Sequence, residues 1–407
     1  MDRETLINEH FIFESKMETT YTPSFEIQDQ KLEVPPDIFE IFKSNLANEK
    51  IFLDDDNLIR EIITGLIRGN IILQGPPGTG KTTIAKIICD TFNIKPIFRT
   101  AIDDWTTYDT IGGYFPSVDE NGNEIIVGKN GKIIDSVVEC CNTILEREYG
   151  DYTPEEKIEK EQASWLIIDE LNRAEIDKTF GDMFTVLGSS DPSSPKTIHL
   201  DFQNSPAKKD LAIPNRYRII GLMNNIDKNF VYDLSQGLSR RFQFITIMPT
   251  ENMESELGYV KSNIGDIIGY KITNFSNQKI NNQFVEEKFY NDDVFKNFED
   301  KLLKFLKHIR LEKDEDYLGF PLGTAQIKDV YENIIINMLI YDYASLSKEE
   351  KEEMIKIFID QSVSNMIMPQ LENFDFDKKI SFYEYLSKNA ELNWLENTKK
   401  RLFEMIN

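Results

Sequence analysis

Apolar residues recur at 58, 59, 62, 63, 66 and 67, the spacing of one helix face, so the chain is read as helical over 58–67. Asn70-Ile71-Ile72-Leu73-Gln74 follows, a short apolar run bounded by glycines that reads as a buried strand. Helical spacing returns over 82–91 through Ile84, Ala85, Ile87 and Ile88. Strand, loop and helix in that order open an α/β unit. Two further buried strands are expected, at Trp165-Leu166-Ile167-Ile168 and over 218–223. Between them lie helical stretches and a hairpin built from 198–202 and 211–213. A second hairpin is predicted over 112–132, where Ile125-Ile126-Val127 lies between the turn signals Asn121-Gly122 and Asn130-Gly131.

Beyond Pro249 the strand signals fade, and 294–311 and 327–339 read as helices. Ser347-Lys348-Glu349-Glu350 is a capping box that opens a helix to about Met368. Thr153-Pro154-Glu155-Glu156 is another helix start, with proline at the first helical position. The expected organisation is a leader over 1–50, an α/β domain over 51–249 and a mostly helical domain over 250–407. Pro35-Pro36 marks a boundary inside the leader, ahead of an apolar-periodic stretch at 38–46.

Composition narrows the classes. A chain of 407 residues predicts about two to three domains. With 40% hydrophobic and 11% aromatic residues it can build a core, which excludes disordered and fibrous classes. It has no apolar run of membrane-spanning length, and Met1-Asp2-Arg3-Glu4 lacks the basic start of a secretory signal. Cys89, Cys140 and Cys141 are an odd set without a C-x-x-C pair, which points to a reducing cytoplasm. His10, His199 and His308 are scattered, which argues against a histidine-rich metal site.

Charge says more. There are 46 basic and 70 acidic residues, a net charge of −24. Residues 251–407 carry 20 basic and 29 acidic side chains, and the first 250 carry 26 and 41. Neither part is a basic nucleic-acid arm, so a broad phosphate-neutralising surface is disfavoured. The outer surface is expected to meet proteins, or basic segments of them. A local basic rim inside a pore stays open: Lys129 and Lys132, flanking the Asn130-Gly131 turn, would line it, or would form a solvated hairpin tip.

The candidate chemistry starts at Gly75-Pro76-Pro77-Gly78-Thr79-Gly80-Lys81-Thr82, which fits G-x-x-x-x-G-K-[ST] between a strand and a helix. Glycines let backbone N–H groups close on phosphate oxygens, and the following helix adds the positive end of its dipole. Lys81 reaches the β- and γ-phosphates, Thr82 offers a hydroxyl to Mg²⁺, and Thr83 completes the nucleotide-binding set. The strand at 165–168 ends in Asp169-Glu170, carboxylates at the sheet edge where open α/β sheets bind ligands. Asp169 would hold Mg²⁺, through water or Thr82, and Glu170 would orient and polarise the attacking water. Alone, two acids after a strand are as readily solvated side chains; the phosphate loop upstream favours the site. The strand over 218–223 ends in Asn224-Asn225, either a turn or an amide that bonds the γ-phosphate or the attacking water. Arg240 and Arg241 in Leu238-Ser239-Arg240-Arg241-Phe242 either compensate a helix dipole or supply an arginine finger to a neighbouring subunit.

From about Ile51 onward the chain resembles the AAA+ ATPases, and more narrowly the branch of MoxR-like and McrB-like proteins. Asp169-Glu170-Leu171-Asn172-Arg173-Ala174 is close to that branch's D-E-I-N-R-A. Gly221-Leu222-Met223-Asn224-Asn225-Ile226-Asp227-Lys228-Asn229 is similar to its M-N-T-A-D-R-S stretch, and residues 238–242 resemble its L-R-R-R-F. The 198–213 hairpin stands where the branch has a pre-sensor insertion, and Thr107-Tyr108-Asp109-Thr110-Ile111-Gly112-Gly113-Tyr114 resembles the segment before its inserted hairpin. Met368-Pro369-Gln370-Leu371-Glu372 resembles a lid motif of McrB-like proteins. The resemblance implies a three-layer αβα P-loop domain with hairpin insertions and a helical lid. It also implies a ring, usually a hexamer, with nucleotide at subunit interfaces, Asn224 as first sensor, and Arg240 and Arg241 acting in trans. Asn172 and Arg173 would sit near that interface.

Two departures stand out. Many relatives start a lid helix with S-P-R, whose arginine is a second sensor; here Thr324-Ala325-Gln326 stands in that place. Gln326 carries no charge, so the role is absent or moved, with Lys328 as the candidate. McrB itself has a DNA-reading domain before its motor, where this chain shows about fifty residues, so DNA specificity is expected to come from a partner or the pore. The expected cofactors are ATP or GTP with Mg²⁺, ATP favoured. The leading expectation is a cytoplasmic, membrane-free ring motor of a restriction or antiviral system that works with a nuclease or other effector subunit. The alternatives are a MoxR-like chaperone that remodels a protein or assists metal insertion, and a nucleotide-gated scaffold without useful turnover; intact Lys81, Asp169 and Glu170 oppose the last.

Overall fold

The computed structural model describes residues 30–406 apart from 121, 182, 188–195, 204–208, 225–236, 238–239, 273–278 and 312–316. The chain divides into two compact units. Met1–Ile51, Asp55–Gly75 and Lys81–Ile247 make the first; Phe52–Asp54, Pro76–Gly80 and Met248–Asn407 make the second.

The first unit is built on a five-stranded sheet. Its strands are β1 (Asn70–Gly75), β2 (Lys95–Thr100), β5 (Ser164–Asp169), β8 (Ile219–Asn224) and β9 (Phe242–Thr246), in the order β2-β5-β8-β1-β9. All four pairings are parallel. Helices α1 (Ile38–Asn48), α2 (Asp56–Arg68), α3 (Lys81–Thr91) and α4 (Lys132–Tyr149) flank it. The three expected strands are the buried ones: Ile71, Ile72, Leu73, Trp165 to Ile168, Ile219 and Ile220 have no exposed surface. Such strands read as continuous apolar runs because both faces are covered. The two unexpected strands, β2 and β9, are the edges. Lys-Pro-Ile-Phe-Arg-Thr in β2 carries a proline and three polar residues, a composition tolerated where one side of a strand has no partner. Both hairpins form antiparallel ladders, β3 (Gly112–Val118) with β4 (Glu124–Asn130), and β6 (Thr197–His199) with β7 (Asp210–Ala212).

Local signals explain the helix ends. Asp55 accepts from the backbone N–H groups of Asn57 and Leu58 at 2.9 and 3.2 Å and starts α2. Thr153 and Glu156 form the expected reciprocal cap on the short helix Pro154–Glu159. The described part of the leader groups with this unit. Glu33 takes a bidentate bond from buried Arg147 at 2.6 and 2.7 Å, and Arg216 adds a contact at 3.3 Å.

The second unit is helical: α5 (Met253–Lys271), α6 (Asp293–Arg310), α7 (Thr324–Ile340), α8 (Lys348–Met366), α9 (Phe376–Lys388) and α10 (Glu396–Ile406). Its core includes Phe305, Ile309, Ile334, Ile335, Phe358 and Phe382. Ser347 and Glu350 cap α8 as the pattern predicts, at 3.3 and 2.9 Å. Asp360 of α8 accepts the Thr398 N–H and hydroxyl at 2.9 and 2.7 Å, which ties α8 to the start of α10. Met368–Leu371 forms a 3₁₀ turn just after α8. Among the described residues no helix is long and apolar enough to cross a membrane.

Candidate nucleotide site

The parallel register aligns the chemistry. Gly75, the last residue of β1, pairs with Asn224, the last residue of β8; Ile168 of β5, just before Asp169, pairs with Gly221 of β8; and Thr100 of β2 pairs with Asp169. The phosphate-loop strand, the acidic strand and the amide strand therefore end together at one edge of the sheet, the edge where open parallel sheets take ligands.

Pro76–Gly80 joins β1 to α3. Thr79 Oγ1 donates to the Pro76 carbonyl at 3.0 Å and tightens the turn. Gly78 and Gly80 have φ of 79° and 78°, conformations that a side chain strains. Lys81, the first residue of α3, is 8% exposed, and its Nζ donates to the Gly75 carbonyl at 3.0 Å. Burial brings the Lys81 ammonium down to about 8, a drop partly opposed by the Asp169 and Glu170 carboxylates.

Thr82 Oγ1 donates to Asp169 Oδ2 at 3.3 Å. The two are hard oxygen donors in contact, the chemistry that suits a small divalent cation which keeps several waters and takes its other oxygens from phosphate. Mg²⁺ thus fits the residues present. Glu170 sits at φ 54°, a left-handed conformation uncommon for a non-glycine residue and concentrated at functional sites. Its Oε1 accepts from Asn224 Nδ2 at 3.1 Å, and its Oε2 accepts from Arg173 Nε at 3.0 Å. Asn172 Nδ2 in turn donates to the Asn224 carbonyl at 3.2 Å. Five residues picked out in the sequence, Lys81, Thr82, Asp169, Glu170 and Asn224, are thus brought to one edge.

Arg240 and Arg241 are not brought there. They precede β9, whose first residue Phe242 pairs with Asn70 at the opposite end of β1 from Gly75. Five residue steps of a strand span about 16 Å. Arg240 is exposed, and Arg241 donates to the Gly237 carbonyl at 2.7 Å. The segments at 225–229 and 238–239, which carry part of the family resemblance, lie outside the described residues. Of the two hairpin lysines, Lys129 is exposed, whereas Lys132 stands 4.7 Å over the Trp105 ring. The grip of Arg173 on Glu170 has one sequence signal, an i,i+3 spacing of opposite charges, whereas the resemblance implies only that Asn172 and Arg173 sit near an interface. In the second unit Gln326, read as a missing charge, donates from Nε2 to the Pro77 carbonyl at 3.2 Å.

Residues 70–242 match the family model of the AAA domain, dynein-related subfamily. The type IV methyl-directed restriction enzyme EcoKMcrB subunit of Escherichia coli (strain K12) is 30% identical over 188 residues. That match covers 45% of this chain and 36% of the relative, so the chain spans about a third of the length of the curated protein it matches. A solved structure of a candidate ATPase from Cytophaga hutchinsonii is 13% identical, with a TM-score of 0.35, covering 78% of this chain and 85% of that one.

Proposed function

We propose that this chain is an AAA+ ATPase of the McrB/MoxR-like branch and the motor subunit of a restriction or anti-phage defence complex that acts with a nuclease. Residues 51–249 serve as its nucleotide-binding domain and 250–407 as its lid. One observation supports the reading of the site: Thr82 bonds Asp169 and Asn224 bonds Glu170, all beside the end of the phosphate-loop strand. The similarity to a restriction-enzyme subunit supports the wider role.

In this reading the backbone N–H groups of 75–83 and the Lys81 ammonium bind the phosphates. Thr82 and Asp169 would hold Mg²⁺, which would supply charge neutralisation for the phosphates. Glu170 orients a water and takes its proton as the water oxygen bonds to the γ-phosphorus and the bond to the β–γ bridging oxygen breaks. Asn224 keeps the carboxylate at the sheet edge. Arg240 and Arg241, remote from this edge in their own protomer, serve a neighbouring subunit of a cytoplasmic hexameric ring. ATP is the favoured substrate, with GTP as the competitor.

The test is phosphate release from MgATP and MgGTP, by the protein alone and co-expressed with the products of its flanking genes. Lys81→Ala is expected to lose nucleotide binding, and Glu170→Gln to bind normally while turnover falls about 100-fold or more. Turnover stimulated several-fold by a co-purifying nuclease supports the restriction role; a nuclease that leaves the rate unchanged and does not co-purify rejects it. Wild-type turnover by Glu170→Gln rejects the assignment of the base.

A further inference from the structure

The first turn of α7 is seated on the phosphate loop within the second unit. Ala325 N–H donates to the Gly78 carbonyl at 3.0 Å, and Gln326 Nε2 donates to the Pro77 carbonyl at 3.2 Å. The fit is close on both sides. A Cβ on Gly78 would lie 2.0 Å from Gln326 Oε1, and one on Gly323 would lie 2.6 Å from the Gly78 carbonyl group. Gln326 is 8% exposed, and its Oε1 is buried with no partner among the described residues. Turning the amide over would set its oxygen against the Pro77 oxygen, so the bond to Pro77 fixes its orientation. A buried, unpaired oxygen needs a reason, and here the other end of the same amide supplies one.

Planarity of the peptide bond gives these contacts a consequence. In a trans peptide the carbonyl of one residue and the N–H of the next point in opposite directions. With the Pro77 and Gly78 carbonyls held toward α7, the N–H groups of Gly78 and Thr79 are turned the other way. Consecutive N–H groups of a loop with a left-handed residue, here Gly78, form an anion-binding nest. The support behind the turn is rigid. Thr324 Oγ1 donates to Glu256, which has no exposed surface, and Arg310 holds both oxygens of that carboxylate, one of them at 3.2 Å. Thr324 starts α7, Glu256 lies on α5 and Arg310 ends α6, so three helices back one turn.

We propose that Gln326 is a positioning residue for the phosphate loop. Its neutral amide, with the Ala325 N–H, holds two peptide planes so that their N–H groups face the phosphates. The clamp is thus built from a backbone N–H and a neutral amide. The inference rests on the phosphate-binding reading of the loop.

The test is a titration with fluorescent MgATP and MgGTP analogues, with steady-state kinetics alongside. Wild type and Lys81→Ala calibrate the site. Gln326→Met keeps length and removes the amide; Gln326→Glu keeps shape and solubility and removes the donor; Gln326→Arg restores a donor. Loss of one such bond is expected to weaken binding about five- to tenfold for the Met and Glu variants, with KM raised to match. The turnover number at saturation should stay within about twofold, because the clamp acts equally on ground and transition states. Gln326→Arg should bind within about twofold of wild type or tighter. Wild-type affinity in both amide-free variants overturns the clamp and leaves the site standing. A fall in turnover at unchanged KM also overturns it, by moving Gln326 into the chemical step. Failure of wild type to bind either nucleotide, or wild-type binding by Lys81→Ala, removes the site reading and the clamp with it.

Discussion

At the scale of single residues the site is an arrangement of charge in a partly dry place. Lys81 shows the consequence. Burial lowers its ammonium from the ordinary 10.5 to about 8 in the nucleotide-free protein. Below pH 8 the lysine is charged and ready for phosphate. Above it the lysine is increasingly neutral, and phosphate binding must take up a proton. Nucleotide affinity should therefore be level to about pH 8 and then fall, by up to about tenfold per pH unit, until it meets the higher value of the bound state. Calorimetry in buffers of different ionisation enthalpy should show proton uptake near pH 9 and almost none at pH 7. A flat affinity from pH 7 to 9.5 would show that the lysine stays charged through that range and refute the lowered value. The sign for folding follows from the same shift: the unfolded chain binds more protons between about 8 and 10.5, so this group makes the nucleotide-free fold more stable as pH rises through that window. Lys81, Thr82, Asp169, Glu170 and Asn224 were all legible in the sequence because each lies in a motif or ends an apolar run. The Glu170–Asn224 bond was not, because it joins residues 54 positions apart through the register of β5 on β8.

At the scale of elements, legibility followed burial. Strands covered on both faces announced themselves as apolar runs, and capping boxes located the helix starts near 154 and 348. Edge strands β2 and β9 did not, since an edge needs neither a continuous apolar run nor a full set of backbone donors. Hairpin β3–β4 was legible from its turns, but its anchor was not. A Cβ on Gly128 of β4 would lie 1.9 Å from the Phe202 carbonyl oxygen, so the hairpin rests on the residues after β6 through a position with no room for a side chain. Gly128→Ala should destabilise the fold by about 1–3 kcal/mol, because the atom in the way is backbone and cannot rotate aside. Urea unfolding reads the change as a lower midpoint at constant slope. Gly122, near the hairpin tip, has no atom within 4 Å of its Cβ position but a φ of 83°, so alanine there should cost less, through strain alone. Equal losses at both positions would refute the packing account.

At the scale of the whole molecule, the arginines and the phosphate loop occupy opposite ends of the same sheet. Gly75 ends β1 and Arg240 and Arg241 lie just before the strand that pairs with its start. No local adjustment closes a gap of about 16 Å along a strand. If both ends serve one reaction, they do so across an interface, and complementation decides it. The double variant Arg240→Ala/Arg241→Ala keeps an intact phosphate loop, and Glu170→Gln keeps intact arginines. Each alone should bind MgATP or MgGTP and turn over at least about 100-fold more slowly than wild type, the scale of a lost transition-state charge. Mixed, they create interfaces at which the intact site of the first subunit meets the arginines of the second, and hydrolysis should reappear. Its extent should pass through a maximum near equal proportions, and light scattering should show assembled particles under the same conditions. With an acidic balance of −24 such assembly is expected to strengthen with salt, since like-charged subunits repel over roughly 10 Å at moderate ionic strength. A mixture as inactive as its components, in particles proven to contain both, would show that the arginines do not act across the interface, and Arg240 and Arg241 would return to local roles such as the bond to Gly237.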